Sequence, residues 1–82
     1  MVKSFHLTIS RIGENLYDGE AVSATLPGAE GIFTVLADHE AFVSSLAEGE
    51  MRFTDTEGKK HTLPVPATGI AEVSQNQATV LL

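Results

Sequence analysis

The sequence predicts an all-β protein, a small flattened β-sandwich or barrel of many short, mostly antiparallel strands. Two observations support this prediction. Apolar and polar residues alternate along several segments, as they do in strands that have one face in the core and the other in water. Short stretches rich in glycine, proline, asparagine and aspartate separate these segments at close intervals, which is typical of sandwiches and barrels.

The alternation defines strands in chain order. Apolar residues recur two positions apart in SFHLTIS, EAVSATL, KHTLPV and QATVLL, and we expect these positions to face the core. They are Phe5, Leu7 and Ile9, then Val22, Ala24 and Leu26, then Leu63 and Val65, then Val80 and Leu82. The runs GIFTVL and GIAEV are nearly continuously apolar, so they are expected to be strands covered on both faces.

Turn signals separate these strands. They lie at DG 18–19, PG 27–28, EGE 48–50, TEGKK 56–60 and SQNQ 74–77. The TEGKK turn predicts a hairpin between MRFTD and HTLPV. Pro64 and Pro66 cannot donate to a ladder, so the strand that holds Val65 should lie at an edge or end there. The segment DHEAFVSSLAEGE has a hint of helical spacing but is too short to decide between helix and strand.

Size and charge restrict the class of function. The 82 residues make one domain, residues 1–82, which by area scaling buries roughly 60% of its unfolded surface and leaves little room for a large cavity. The net charge is −6 and the five Lys and Arg residues are scattered, so no basic surface is available for nucleic acid or anionic lipid. Without cysteine, a signal peptide or a membrane-spanning apolar run, the chain is expected on the reducing, cytosolic side.

The triplet DHE, residues 38–40, raises the question of an active site. Neighbouring side chains of an extended strand point to opposite faces, so His39 cannot share one ligand set with both acids. The chain holds no H-x-H or H-x-x-x-H pair and no serine in a G-x-S-x-G turn. The sequence therefore predicts no catalytic residue, no metal site and no cofactor, and it favours a structural or interface role for His39.

The stretch PGAEG, residues 27–31, predicts a rigid turn. Its proline and first glycine suit a type II turn, and its second glycine permits a bulge or a close backbone approach. Such a turn displays Ala29, Glu30 and Ile32 to solvent. Exposed loops on rigid sheets often hold contacts to partners, although a plain connector fits the composition equally well.

These motifs, taken in order, give the chain a family resemblance. The residues that carry it are Leu26, Pro27, Gly28, Gly31, Phe33, Val35, Leu36 and His39, then Leu46 and Gly49, then Gly69, Glu72, Val73, Asn76, Thr79, Val80 and Leu82. The opening HLTIS…LYDGEAVSATLPG fits the same pattern. The chain resembles the N-terminal β-domain of the epsilon subunit of bacterial F-type ATP synthases, over essentially its whole length.

The chain departs from the family pattern in several places. The family usually has glycine where Thr34 stands, Ala-Pro where Glu40 and Ala41 stand, and a Ser-Gly-Gly turn in place of PATG, residues 66–69. Most members continue into a pair of C-terminal helices, whereas this sequence ends at Leu82. The resemblance therefore implies a form lacking those helices, either a naturally short member or one truncated at that point.

The resemblance implies a non-catalytic rotor subunit of the central stalk, which couples rotation of the gamma subunit to the c-ring for proton-driven ATP synthesis. By positional match the expected c-ring contacts are Ala29, Glu30, Gly31 and Ile32. The expected gamma contacts are Arg11, His39 and Ser44. A peripheral location on the cytoplasmic face of the bacterial inner membrane, without membrane insertion, and a monomeric isolated domain are also implied.

Two other classes of function stay open at this point. An enzyme would need His6, His39 and His61 to converge on a metal ion. A β-sandwich binding module for a protein or carbohydrate partner would present exposed aromatic residues. The chain has only Tyr17 and four phenylalanines, all at core-like spacings except Phe42.

Overall fold

The fold consists of β-strands throughout the part of the chain that is described. A computed structural model describes residues 3–82, and this range contains eight strands and no helix. The strands are β1 Phe5–Arg11, β2 Glu14–Gly28, β3 Gly31–Val35, β4 Phe42–Ser45, β5 Gly49–Asp55, β6 Lys60–Val65, β7 Ile70–Ser74 and β8 Gln77–Leu81. No helix long and apolar enough to cross a membrane occurs between residues 3 and 82. The predicted all-β class is confirmed.

The strands form one sheet that folds over itself into two layers. Its order is β4-β7-β8-β1-β2-β5-β6, with β3 paired to β2 beside this path. Neighbours are antiparallel except β1 and β8, which run parallel. Strand β2 belongs to both layers, because its first half pairs with β1 and its second half with β3 and β5. We call β4, β7, β8, β1 and the first half of β2 the first layer, and the remaining strands the second layer. The sheet is not closed, so the fold is a sandwich rather than a barrel.

The core between the layers is apolar. Its residues come from both layers and are Phe5, Leu7, Ile9, Ala21, Ala24, Leu26, Val35, Leu46, Met51, Phe53, Val65, Ala71, Val73, Ala78 and Val80. None of the polar or charged side chains within residues 3–82 is buried. The fold is therefore stabilised mainly by burial of apolar surface, at about 25 cal/mol per Å².

A bulge in β2 changes the predicted face of one residue. In the ladder with β5, Ala21 and Ser23 pair with consecutive residues, so Val22 is extra. An extra residue reverses the alternation beyond it. Ala21 and Ala24 are consequently both buried while Val22 is only half-buried, and the prediction that Val22 faces the core is wrong.

The predicted turn at residues 18–19 does not form, because both residues lie in the ladder that joins β2 to β1. Gly19 instead makes room for an aromatic ring: a Cβ there would lie 3.1 Å from the hydroxyl oxygen of Tyr17. That hydroxyl donates a hydrogen bond to the carbonyl of Glu20 at 2.9 Å. The glycine of this Asp-Gly pair therefore allows close packing of the Tyr17 side chain and does not mark a turn.

The two apolar runs expected to be covered on both faces are covered on one face only. In β7 buried and exposed residues alternate, and in β3 the outward positions are exposed. Ile32, Leu36 and Ile70 are therefore exposed. A two-layer sandwich has no third layer to cover the outer faces, so these apolar side chains remain available to a partner.

The segment DHEAFVSSLAEGE forms a strand and not a helix. Its residues Phe42–Ser45 are β4, which pairs with β7. The loop before β4 is fixed by the side chain of Asn76, which accepts a hydrogen bond from the Asp38 N–H at 2.7 Å and donates one to the Ser4 carbonyl at 2.8 Å. The pairing with β7, which is distant in sequence, determines that this segment is a strand, whereas the local spacing of apolar residues did not distinguish a strand from a helix.

The predictions for the proline-rich strand and its hairpin are confirmed. Strand β6 is the last in the sheet order and ends at Val65. The TEGKK turn joins β5 to β6, with Gly58 at a φ of 84° that favours glycine. Pro64 thus lies in an edge strand and Pro66 directly after its end, where the missing N–H donors cost least.

Candidate functional site

The hairpin between β2 and β3 brings together the four residues predicted to contact the c-ring. Ala29 and Glu30 form the turn, and Gly31 and Ile32 begin β3. All four are exposed, Ile32 by 77%. We call residues 29–32 the hairpin tip.

The turn lies two residues later than the sequence predicted. Pro27 and Gly28 still belong to the β2–β3 ladder, in which Gly28 pairs with Gly31. The positive φ occurs at Gly31, at 137°, and not at Gly28. Because L residues rarely adopt this backbone region, Gly31 is the glycine on which the shape of the tip depends.

Backbone hydrogen bonds hold the β2–β3 hairpin against the end of β4 and the segment that follows it. The Ala29 N–H donates to the Ser45 carbonyl at 2.8 Å, and the Ala47 N–H donates to the Pro27 carbonyl at 2.7 Å. These contacts join the two layers at the tip. A tip that is already ordered loses little conformational freedom when it binds a partner.

Replacing Gly28 by alanine should distort the hairpin tip. A Cβ at this position would lie 2.6 Å from the Gly31 carbonyl oxygen and 2.9 Å from the Phe33 ring, so the backbone must move. We expect the free energy of unfolding to fall by about 1–3 kcal/mol, measured by urea denaturation. Gly49→Ala is the matched control, since its Cβ would meet only Pro27 at an ordinary 3.4 Å. Equal losses in both variants would contradict the close contact.

The residues predicted to contact gamma do not form one cluster. Arg11 ends β1, and its Nε donates to the Glu14 carboxylate at 3.1 Å. Ser44 lies on β4, three strand spacings away, or about 14 Å. Its half-buried hydroxyl donates to the Ser45 carbonyl at 2.9 Å. Arg11 and Ser44 therefore lie well apart in the first layer.

The third of these residues, His39, is exposed in the loop before β4. Its Nδ1 donates to the Glu40 carbonyl at 3.0 Å, and its ring is tilted on Phe42 at a centroid distance of 5.1 Å. Phe42 meets Phe33 edge-on at 5.2 Å. This contact fills the side of the sandwich where no ladder joins β3 to β4. His39 thus covers an aromatic seam between the layers.

An exposed apolar strip on the outer face of the first layer was not predicted. It consists of Val43 on β4, Ile70 on β7 and Leu81 on β8, which are 61%, 38% and 50% exposed. Ile70 pairs directly with Leu81 and lies diagonally from Val43, because Val43 pairs with Glu72. Contiguous exposed apolar side chains mark interaction surfaces. The sequence does hold a signal for this strip: each of its residues is next in sequence to an inward-facing residue, and a strand with one buried face must turn one of two such neighbours outward.

The contacts between histidines and carboxylates lie at separate places in the sheet, and the contact between His61 and Asp55 stabilises a turn. His61 Nε2 lies 3.0 Å from Asp55 Oδ2, and the His61 ring stacks on Phe53 at 4.5 Å. The hydrogen bond from His61, together with those from the backbone N–H groups of Lys59 and Glu57, lowers the pKa of Asp55. Asp55 therefore fixes the β5–β6 turn.

The histidines do not meet at a common site. His6 contacts carboxylates of β2, His61 contacts Asp55, and His39 contacts a backbone carbonyl. Residues 3–82 contain no group of three or more His, Cys, Asp or Glu side chains placed to hold a metal ion. The convergence of the three histidines that a metal-dependent enzyme would need is therefore not found in the described residues.

An open groove of about 510 Å³ lies at the end of the sandwich beside Arg11. Its lining includes the apolar residues Leu16, Leu63, Pro64 and Leu82, with Arg11 and Glu48 as its charged members. No histidine and no pair of carboxylates line it. The groove offers apolar surface and shape rather than reacting groups.

The aromatic side chains pack inside the molecule. Phe5 and Phe53 are buried, and Tyr17, Phe33 and Phe42 are partly buried against the core. Tyr17 lies 4.5 Å from Phe53 between ring centroids. A carbohydrate-binding surface built from exposed rings is therefore not present in the part of the chain that is described.

A rigid two-layer sandwich with an anchored hairpin tip and an exposed apolar strip is a small docking domain. The chain belongs to the family described as the ATP synthase Delta/Epsilon chain β-sandwich domain, whose profile matches residues 4–82. The family resemblance inferred from the motifs is confirmed.

Relatives and solved structures agree with this family. The chain is 37% identical to the ATP synthase epsilon chain of Desulforapulum autotrophicum over 81 residues, 99% of this chain and 59% of that protein. It is 40% identical to that of Nitratidesulfovibrio vulgaris over 81 residues, with the same coverage. The chain thus spans about three-fifths of the length of these relatives.

Two solved assemblies contain a similar fold. A chain of the Euglena gracilis mitochondrial ATP synthase, solved as OSCP/F1/c-ring, matches with a TM-score of 0.88 and 28% identity, over 95% of this chain and 49% of that one. A chain of the Tetrahymena thermophila mitochondrial ATP synthase central stalk and c-ring matches with a TM-score of 0.76 over 96% of this chain and 63% of that one. At 12% identity, the second match shows the shared fold alone.

Proposed function

We propose that this chain is a rotor subunit in the central stalk of an F-type ATP synthase, where it couples rotation of the gamma subunit to the c-ring during proton-driven ATP synthesis. Membership of the Delta/Epsilon β-sandwich family is the observation that carries the proposal. The Euglena chain, from an ATP synthase solved with its c-ring, supports it. In this role the chain is non-catalytic, and the assembled complex is the enzyme.

The proposal includes the setting of the domain. Residues 1–82 act as one domain that needs no cofactor or metal and is monomeric when isolated. The domain is peripheral to a membrane-associated complex, on the cytoplasmic face of the bacterial inner membrane. Its partners are the gamma subunit and the c-ring. It does not insert into the membrane and does not bind nucleic acid.

In this proposal the hairpin tip contacts the polar loops of the c-ring. The tip is exposed, and the backbone N–H of Ala29 ties it to Ser45 at the end of β4, which suits it to transmit force. Glu30 supplies a charge at the turn. Ile32 stands where the family often has a second polar or acidic residue, so its contact with the ring is apolar.

The gamma subunit is proposed to cover the outer face of the first layer. Ile70 and Leu81 lie on β7 and β8, the two strands between β4, which holds Ser44, and β1, which holds Arg11. His39 lies in the loop that leads into β4. The apolar strip supplies the buried centre of the contact.

The three residues expected to contact gamma lie beside this strip. Ser44 pairs with the buried Ala71 and so lies on the inner face of β4. Arg11 lines the groove at the end of the sandwich, and His39 packs on Phe42. In this proposal Arg11, His39 and Ser44 reach gamma at the edges of the first layer and not on its outer face.

Glu30→Lys should impair attachment to the ring more than it impairs folding. Position 30 is exposed at a turn, where substitutions usually change stability by within about 0.5 kcal/mol, whereas a reversed charge at an interface mismatches the partner. The chain is added to membrane vesicles whose ATP synthase lacks its epsilon chain, and ATP-driven proton pumping is measured. Glu57→Lys, the same reversal at the exposed β5–β6 turn, is the control.

The outcomes of this experiment separate the two levels of the proposal. Wild-type chain that fails to restore proton pumping would reject the rotor role. Restoration by wild-type chain and by Glu30→Lys alike, with unchanged melting, would remove the hairpin tip from the c-ring contact and leave the rotor role standing.

A further inference from the structure

His6 lies on the outer face of the first layer with a carboxylate at each of its ring nitrogens. Its Nδ1 is 3.2 Å from Glu20 Oε2, and its Nε2 contacts Asp18 Oδ1 at hydrogen-bond distance. Glu20 is the direct ladder partner of His6, and Asp18 is two residues away on the same face of β2. The imidazole ring therefore bridges two acids of the neighbouring strand.

This arrangement fits only the doubly protonated ring. An ionised carboxylate accepts hydrogen bonds and cannot donate them, and a neutral imidazole has a single N–H. With a neutral ring, one of the two contacts would place a nitrogen lone pair against a negative oxygen. The hydrogen bond with Asp18, followed by that with Glu20, raises the pKa of His6 above its usual value.

Hydroxyl groups hold the two carboxylates in place. Ser4 Oγ donates to Glu20 Oε1 at 2.8 Å, and Thr8 Oγ1 donates to Asp18 Oδ1 at 3.4 Å. On the other side of His6 the ladder partner in β8 is Gln77, which carries no charge. Among the described residues, the charged groups acting on His6 are thus the two acids of β2.

The cluster does not resemble a metal site. The two carboxylates meet opposite nitrogens of one ring, whose lone pairs diverge, so no single point is shared by all three side chains. A metal ion would need one ring nitrogen and both carboxylates around it. The contacts present are those of an ion triad that joins two strands.

We propose that His6, Asp18 and Glu20 form a proton-dependent clasp, which ties β1 to β2 while His6 carries both ring protons and loosens when one is lost. The clasp is on the same outer face as the apolar strip, since residues 6, 8 and 10 of β1 and residues 77, 79 and 81 of β8 all point outward. Its net charge changes from −1 to −2 when the proton leaves, because both acids remain ionised.

The direction of the pH effect follows from linkage. A histidine whose pKa is higher in the folded than in the unfolded chain stabilises the fold fully below its unfolded pKa, about 6.5, and this contribution is lost as the pH rises through the folded value. The three side chains are about half exposed, so salt should weaken the effect. Asp and Glu protonate near pH 4, which sets the lower limit of the window.

The test is an NMR titration of the His6 ring in the 82-residue chain, combined with melting temperatures between pH 5.5 and 9. In the double variant Asp18→Asn, Glu20→Gln, the titration midpoint of His6 should move to lower pH. Glu50→Gln, which neutralises an exposed acid of the second layer, is the matched control and should leave the midpoint in place. Far-ultraviolet circular dichroism verifies that each variant is folded.

The melting data give an independent reading. Wild-type chain should melt above His6→Gln at pH 5.5, and this gap should close as the pH rises through the His6 midpoint and shrink in high salt. A His6 midpoint that is the same in wild type and in the double variant would overturn the clasp. A melting gap that stays constant from pH 5.5 to 9 would also overturn it, because it would reflect packing and not a proton.

Discussion

Replacing Ile70 and Leu81 together by aspartate is expected to weaken binding to the gamma subunit by about 100-fold or more. The two side chains are direct cross-strand partners at the centre of the proposed gamma face. Hot-spot residues at the centre of an interface cost about 2 kcal/mol or more when they are replaced, and each 1.4 kcal/mol changes affinity tenfold. The variant would also place two unpaired carboxylates in the contact, which adds a desolvation cost.

The fold should tolerate this change. Both side chains are at least one-third exposed, so the apolar core stays intact. Two like charges directly opposite in a ladder destabilise by roughly 0.2–1 kcal/mol, so only a small loss of thermal stability is expected. Thr56→Asp with Thr62→Asp adds the same charge at exposed positions of the β5–β6 hairpin and should leave gamma binding unchanged.

Isothermal calorimetry with purified gamma subunit measures the effect. Equal affinities for wild type and the Ile70, Leu81 variant would remove the outer face of the first layer from the gamma contact. A wild-type chain that does not bind gamma at all would instead count against the rotor role. The two results are distinguishable, because the first keeps binding and the second lacks it.

The sequence predicts a strand well where its apolar residues occur at every second position, which is the period at which side chains alternate between the two faces of a strand. In β1 the apolar residues Phe5, Leu7 and Ile9 are all buried, because a strand on one side of a two-layer sandwich has a single apolar face. Val22 was misplaced because a bulge depends on how β2 pairs with β5, which no local pattern records. The DG pair at residues 18–19 was misread as a turn for the same reason, since the pairing of β2 with β1 holds it extended.

The candidate surfaces differ in how far sequence could define them. The hairpin tip was predicted as a unit because its residues are consecutive and a hairpin keeps them together. The apolar strip joins Val43, Ile70 and Leu81 from three strands, so it exists only once the sheet order is known. The clasp of His6 likewise depends on the register of β1 with β2, which places Glu20 opposite the ring.

The strongest effect on stability is expected from truncating Ile9, and Ile12 offers a control of the same chemistry three positions away. Ile9 is wholly buried, whereas Ile12 is fully exposed in the turn that follows β1. Ile9→Ala removes apolar contacts and leaves a cavity, at a cost of about 2–5 kcal/mol. Ile12→Ala removes no core contact and should change stability by within about 0.5 kcal/mol.

The cost at Ile9 is large relative to the whole domain. At about 0.05–0.15 kcal/mol per residue, a domain of this size has roughly 4–12 kcal/mol of stability, so Ile9→Ala would leave it marginal or unfolded. For a domain of this length each kcal/mol lowers the melting temperature by about 4–8 °C, so a drop of at least roughly 8 °C is expected in a thermal melt followed by circular dichroism. Similar melting temperatures of the Ile9→Ala and Ile12→Ala variants would mean that the inner face of β1 is not the centre of the core. Truncating a wholly buried isoleucine in a continuous apolar core must lower stability more than truncating an exposed one.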